Sequence, residues 1–303
     1  MTCRSTFSRD CQDLACGGSS GRITGLLTPT VWGMASFSKP HNGRQTSVTD
    51  TLPELTQWKQ GPVLEDANAL YAALLGRGIG ARDVVFVSTV AHERVADAIT
   101  RCGAEAIFID VTLETWNVSA EVLDIAAQWC HSIGSTPQAL VMVDAYGMEA
   151  DVDAVRNVCW RHNMALIENH IEWKRRAQHE RLSVVVARRR EIHARYRRDL
   201  EGTSGLRFTP ESDSVRWNSW LTCVVFEEFD TRDRVLTGLG NRAIECSALW
   251  RPLHTLPAYA NATAIVDGTA EYLFEHGLCL PSSSRLTDAE VDAVIETVVA
   301  FAR

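Results

Sequence analysis

Between residues 65 and 172 the chain alternates four helical stretches with four short strands that are apolar throughout, and that pattern leaves few folds open. Helical spacing in DANALYAALLGRG precedes VVFVSTV, ERVADAITRCG precedes EAIFID, SAEVLDIAAQWCHSIG precedes QALVMVDA, and DVDAVRNVCWRHN precedes MALIENH. A strand apolar on both faces needs cover on both, and helical connections supply it. The pattern therefore predicts a mostly parallel sheet between two helical layers. From Glu172 the character changes: a long basic helical stretch ends near Gly202, WLTCVVFEE reads as a strand, a short helix precedes Gly240, and the turn-rich WRPLHTLPAY leads toward a closing helix, TDAEVDAVIETVVAFAR. The expected organisation is a loose N-terminal arm over 1–30, a large α/β domain over 31–172, and a smaller α+β unit with the basic helix over 173–303.

The 303 residues are 46% hydrophobic and 22% charged, enough to build real cores. No apolar run reaches the ~18–20 residues of a membrane span, and MTCRSTFSRD has no signal-peptide core, so the expectation is a soluble, cytoplasmic protein. Nine cysteines without a CxxC pair read as reduced thiols, and no metal is expected. The net charge of −8 hides a basic segment, Lys174 to Arg198, on an otherwise acidic chain. A solvated face or a subunit contact accounts for that segment better than nucleic acid does. Only three residues are lysines: Lys39, Lys59 and Lys174.

In an open parallel sheet, ligands bind beyond the carboxyl ends of the strands. Each strand of the first unit runs into polar residues there: Ser88, Thr89 and His92, then Asp110, then Asp144, then Glu168, Asn169 and His170. If the last strand stayed extended, Glu168, His170 and Glu172 would share a face. A histidine beside carboxylates is a workable acid/base set, which makes His92, Asp144, Glu172 and His170 the catalytic candidates. Helix capping explains Asp110 and Asp144 equally simply, and a packed first-turn role would explain His92. The glycines of GRGIG end a helix instead of following a strand, so they read as a C-cap and not a dinucleotide loop. Asn117-Val-Ser119 matches a glycosylation sequon without a secretion signal.

Several segments taken together resemble the DegT/DnrJ/StrS sugar aminotransferases: CGAEAIFIDVTLETWNVSAEVL, VDAYGMEADVDAVRNVCWRHNMALIEN, ARRREIHARYRRDL, ALWRPLHTLPAY and FEHGLCLPSSSRLTDAEVDAVIE. The resemblance runs from about residue 65 to residue 303. It implies a truncated fold-type-I large domain with a smaller C-terminal domain, in a family that uses pyridoxal phosphate to aminate keto-sugar nucleotides. It also implies which positions would face a ligand. Asn169 falls where the family has the aspartate that pairs with the pyridinium nitrogen, His92 where an aromatic residue stacks on the ring, Asp144 where a histidine stands, and Glu172 where a Gln/Glu lines the pocket. Tyr146, Trp250, Arg251 and His254 complete the candidate ligand contacts, the last three within a well-kept Trp-Arg-Pro-Leu-His run.

The departures from the family matter more than the matches. The family strand is followed by a long segment bearing the lysine that holds the cofactor as a Schiff base, whereas here MALIENHIEW runs almost directly into the basic helix. Lys174 lies only five residues after Asn169, and Lys39 and Lys59 precede the matching region. The Ser-Gly-Thr phosphate turn falls on Glu65, Asp66 and Ala67, whose carboxylates repel a phosphate. Neutral Asn169 cannot stabilise a protonated ring. The expectation is therefore a cofactor-independent acid/base enzyme acting on a small intermediate of specialised or antibiotic metabolism, with isomerisation, dehydration, cyclisation or condensation as fitting reactions. A homodimer is expected. The alternative is a non-catalytic partner subunit of a complete aminotransferase or another pathway enzyme, with the basic helix and Trp217/Trp220 as contact surfaces.

Overall fold

The computed structural model describes residues 22–24, 67–169, 180–209 and 220–302. The first unit comprises β1 (Arg22–Thr24), α1 (Ala67–Gly76), β2 (Val84–Ser88), α2 (Glu93–Arg101), β3 (Glu105–Ile109), α3 (Ala120–Ser132), β4 (Pro137–Val143), α4 (Val152–Arg161) and β5 (Ala165–Asn169). Then come α5 (Glu180–Leu200), β6 (Leu206–Phe208), β7 (Thr222–Phe226), α6 (Phe229–Asn241), β8 (Ser247–Ala248), β9 (Ala264–Val266), α7 (Thr269–His276), β10 (Gly277–Leu280) and α8 (Asp288–Phe301). The described strands form two sheets. One is six-stranded and parallel throughout, in the order β1-β9-β3-β2-β4-β5, and the other is antiparallel, in the order β6-β7-β10-β8.

The alternation of β2 explains the two helical layers. Val85 and Val87 pack with α1 and α2 on one face, while Val84 and Phe86 pack with α3 and α4 on the other. Local signals set the helix ends. Ser119 accepts the Val122 N–H at 3.1 Å, Asp151 accepts the Ala154 N–H at 3.0 Å, and Thr287 with Glu290 forms a capping box. At the end of α1, Gly78 has φ +73° and its N–H reaches the Leu75 carbonyl, the C-cap geometry expected of GRGIG.

The small sheet is built on a third core in which Ile192, Tyr196 and Leu200 of α5 meet Val224 and Phe226 of β7 and Val291, Val294 and Val298 of α8. Two arginines of the basic helix find acids on α8. Arg188 bonds Asp288 at 2.7 Å, and Arg195 pairs with Asp288 at 3.3 Å and with Asp292. Arg188 and Arg195 of the basic stretch thus lie in an intramolecular seam with α8.

One element departs from a division of the chain at residue 172. β9 lies in the large sheet between β1 and β3, and Leu253, Tyr259, Ala264 and Val266 belong to the core beneath α1 and α2. A three-residue strand after a turn-rich loop carries no periodic signal, so its partner is set by tertiary packing alone. After β9 the chain turns through α7 into β10 at Gly277. A Cβ there would lie 2.4 Å from the Leu273 carbonyl oxygen and 2.2 Å from Leu249 Cδ1. Backbone cannot yield as a side chain does, so Gly277→Ala is expected to destabilise the fold by about 2 kcal/mol. A chemical-denaturation midpoint equal to that of the native sequence would refute this.

Candidate functional site

The carboxyl ends of the parallel strands face the small sheet. Val90, Val111, Trp116, Ala145, Tyr146 and Met148, from the loops after β2, β3 and β4, form one apolar cluster with Cys223 and Val225 of β7, Ala270 and Leu273 of α7 and Cys279 of β10. The polar residues of the same loops sit around this cluster, each with a definable job.

After β2, Ser88 Oγ accepts the Val90 N–H at 3.1 Å and folds the turn, and His92 caps α2 by accepting the Arg94 N–H on Nδ1 at 3.3 Å. The His92 ring is exposed. With Nδ1 accepting, the proton of the neutral ring sits on Nε2. Capping and availability are therefore compatible at this residue.

Asp110, after β3, is buried and wholly engaged. Its Oδ1 accepts from the N–H groups of Val111 (2.9 Å) and Ala270 (3.0 Å), and its Oδ2 accepts from those of Asp267 (3.0 Å) and Gly268 (3.1 Å). The carboxylate clamps the turn into α7, a helix whose own N-cap is a glycine with no side chain to offer. Burial pushes its carboxyl up to about 6, against the backbone N–H groups that favour the charged form.

Asp144 stands at the end of β4, buried, ahead of the single helical turn Ala145–Gly147. Asn117 holds that turn: its Oδ1 accepts the Ala145 N–H at 3.0 Å and its Nδ2 donates to the carbonyls of Thr115 and Met148, each at 3.1 Å. The sequon asparagine is thus a buried structural clip. Tyr146 takes φ +53°, in the left-handed region that side chains seldom adopt. It is held there by ring contacts to Trp116 (5.8 Å) and Trp250 (4.8 Å), and its hydroxyl accepts the Trp250 N–H at 2.9 Å. Burial drives its phenol well above the ordinary tyrosine range.

Asn169 ends β5 opposite Val143, which sets it on the strand beside the one that carries Asp144. Glu168 faces Arg156, with Oε1 accepting from the guanidinium at 3.3 Å. His170 and Glu172 lie outside the described residues, as do Glu65, Asp66, Trp217 and all three lysines. Trp220 packs on Trp250 at 5.8 Å. Arg251 is exposed; its Nε donates to Thr255 at 3.3 Å and its guanidinium lies over the Phe274 ring.

His254 is the residue whose setting the sequence foreshadowed least. It is 1% exposed, with Nδ1 at 2.5 Å from Thr89 Oγ1 and Nε2 at 2.7 Å from Glu271 Oε1. A carboxylate only accepts, so Nε2 carries the proton, and in the neutral ring Nδ1 accepts from the Thr89 hydroxyl. Thr89 is itself fully buried, so this hydroxyl–imidazole–carboxylate chain meets no solvent at its hydroxyl end. It ties the Leu253–Thr255 turn to the end of β2, reinforced by the Leu253 N–H donating to the Thr89 carbonyl at 2.8 Å. Glu271 was invisible in the sequence because the short helix bearing it has no distinguishing pattern. Among the described residues no group of three His, Cys, Asp or Glu is placed to hold a metal ion, and no helix is long and apolar enough to cross a membrane.

Comparison with known proteins matches residues 65–170 and 175–299 to the model of the DegT/DnrJ/EryC1/StrS aminotransferase family. The chain belongs to this family. Among DegT-family relatives it is 24% identical to EpsN of Bacillus subtilis over 312 residues, covering 76% of this chain and 80% of EpsN. It is 23% identical to the GDP-perosamine synthase of Vibrio cholerae, covering 76% and 83%. A crystal structure of a DegT DnrJ EryC1 StrS aminotransferase from Brucella abortus superposes with a TM-score of 0.69 at 19% identity, covering 82% of this chain and 90% of that one. The mixed fold with its parallel sheet is therefore the fold of this aminotransferase family.

Proposed function

We propose that this DegT-family protein works without pyridoxal phosphate, as an acid/base enzyme on a small biosynthetic intermediate bound at the carboxyl edge of the large sheet. The observation that carries the reading is the donor set at that edge. None of the chain's three lysines, Lys39, Lys59 and Lys174, falls within the residues that match the family model. The residue ending β5 is the neutral Asn169, and the buried carboxylate after β3, Asp110, is spent on backbone N–H groups. These side chains do not fit a phosphorylated pyridine aldehyde, which needs an amine, a cationic or N–H-rich phosphate cup and a counter-charge for its ring nitrogen.

Two features of the comparisons support the same reading. The match to the family model breaks between residues 170 and 175, directly after β5. The alignment with EpsN runs over 312 positions, more than this chain possesses, yet takes up 76% of it, so the relative has positions that this chain skips. Within the remaining edge, His92 supplies an exposed imidazole, a side chain suited to general acid/base work. Asp144 and Asn169 stand at the same sheet edge, at the ends of β4 and β5, and His170 and Glu172 follow in sequence. A homodimer accompanies this reading, because among the described residues no strand pairs with the outer side of β5 and an open edge calls for cover.

Reductive trapping tests the cofactor part. Pyridoxal phosphate and borohydride should leave Lys39, Lys59 and Lys174 labelled no more than in unfolded protein, and stoichiometric labelling of a single lysine would overturn the proposal. Native mass spectrometry of protein purified gently from its host should show a dimer retaining a ligand other than pyridoxal phosphate. In His92→Ala, loss of one cap costs about 1 kcal/mol and leaves the fold intact. Turnover of the retained ligand should fall roughly 100-fold or more; an unchanged rate removes His92 from the mechanism.

A further inference from the structure

The cysteines of the small sheet are not scattered. Cys223 of β7 and Cys279 of β10 are direct register partners on neighbouring antiparallel strands, with their sulfurs 3.6 Å apart. Cys246 Sγ donates to the Cys279 carbonyl at 3.2 Å, which puts a third thiol beside the pair. We infer that Cys223 and Cys279 form an oxidation site, in which a peroxide converts the two thiols into a cross-strand disulfide.

Three observations support this. Directly opposed residues of an antiparallel pair have Cα atoms about 4.5–5.5 Å apart, inside the range of about 4.4–6.8 Å that a disulfide spans, so side-chain rotation closes the sulfur gap with the strands in place. The two thiols are also inequivalent. The Cys223 hydrogen bond holds the Cys279 thiol below the usual cysteine range despite burial, whereas burial pushes Cys223 well up. Finally, Cys279 is 8% exposed against none for Cys223, and with Cys246 it lines a groove of about 760 Å³ beside α8, walled by Arg242, Glu245 and Ser282. Cys279 is thus the attacking thiol and Cys223 the resolving one.

The chemistry balances with hydrogen peroxide as oxidant. The Cys279 thiolate attacks one peroxide oxygen, an S–O bond forms, the O–O bond breaks, and the departing hydroxide takes up the thiol proton as water. The Cys223 sulfur then attacks the sulfenic sulfur, an S–S bond forms, and the sulfenic hydroxyl leaves as a second water with the Cys223 proton. Two thiols lose two electrons and the peroxide is reduced to two waters.

The test is peptide mapping of the intact protein after mild peroxide treatment, with alkylation under denaturing conditions. A peptide linking Cys223 to Cys279 should rise on the order of tenfold over untreated protein and vanish with dithiothreitol. The Cys246→Ser variant should give the same linkage. Cys130 and Cys159, pushed up to about 12 by burial, should remain alkylated and serve as internal controls. In Cys223→Ser, dimedone should trap a sulfenic acid on Cys279. Recovery of both Cys223 and Cys279 as alkylated thiols from oxidised, still-folded protein overturns the proposal, and so does a linkage of Cys279 to Cys246 in their place.

Discussion

Asp110→Ala is expected to lower the unfolding free energy by about 3 kcal/mol, because it strips hydrogen-bond acceptors from buried backbone N–H groups at the turn into α7, each worth roughly 1–3 kcal/mol when left unsatisfied and not fully additive. Asp110→Asn should cost less, since one amide oxygen still serves part of the set. A pH series adds a sign. The Asp110 carboxyl sits at about 6 in the fold against an ordinary value of 3.8. A raised value means that the native state holds the proton more tightly than the unfolded chain does. The contribution from this titration is therefore fully present below pH 3.8 and is lost as the pH rises through about 6. The stability gap between the native sequence and Asp110→Asn should narrow over that window in urea melts. A gap that widens instead would show that the backbone N–H groups outweigh burial.

His254→Ala should produce an effect of comparable size, about 2–4 kcal/mol, combining a cavity where a buried ring stood with a buried Thr89 hydroxyl deprived of its acceptor. Arg251→Ala, three residues earlier on the same loop but exposed, should change stability by less than about 0.5 kcal/mol. The contrast separates a packing role from a ligand-contacting one. If His254→Ala unfolds at the same denaturant concentration as the native sequence, the Thr89–His254–Glu271 chain does not hold the loop, and His254 is released to face a ligand.

The elements from α1 to β5 were legible in the sequence because each depends on a periodicity that survives without context. β2 is a short apolar run, and α2 and α3 carry one buried face each. The family pattern added the order of the elements. What could not be read was whatever depends on a partner far away in the chain. β9 has three residues and no period, and Glu271 is an ordinary acid on a short helix. Asp110 looked like a local cap when its four donors include three from residues 267–270. The same limit applies to the candidate site. Tyr146 and His254 stood in the right places for ligand contacts, yet their burial and hydrogen bonds give them work inside the fold, and among the described candidates only His92 and Arg251 are exposed. Neighbouring strand ends collect polar residues both to cap helices and to meet ligands, and sequence spacing does not distinguish the two uses.

The insertion of β9 between β1 and β3 has a consequence for how the chain must be made. On the ribosome, β2 to β5 emerge long before residues 264–266, so β3 waits as an open hydrogen-bonding edge while α5, β6, β7 and α6 are still being synthesised. The large domain cannot finish as an early, self-contained folding unit. Its sheet is completed only when the second half of the protein threads back through it, which makes the two halves one obligate product of translation.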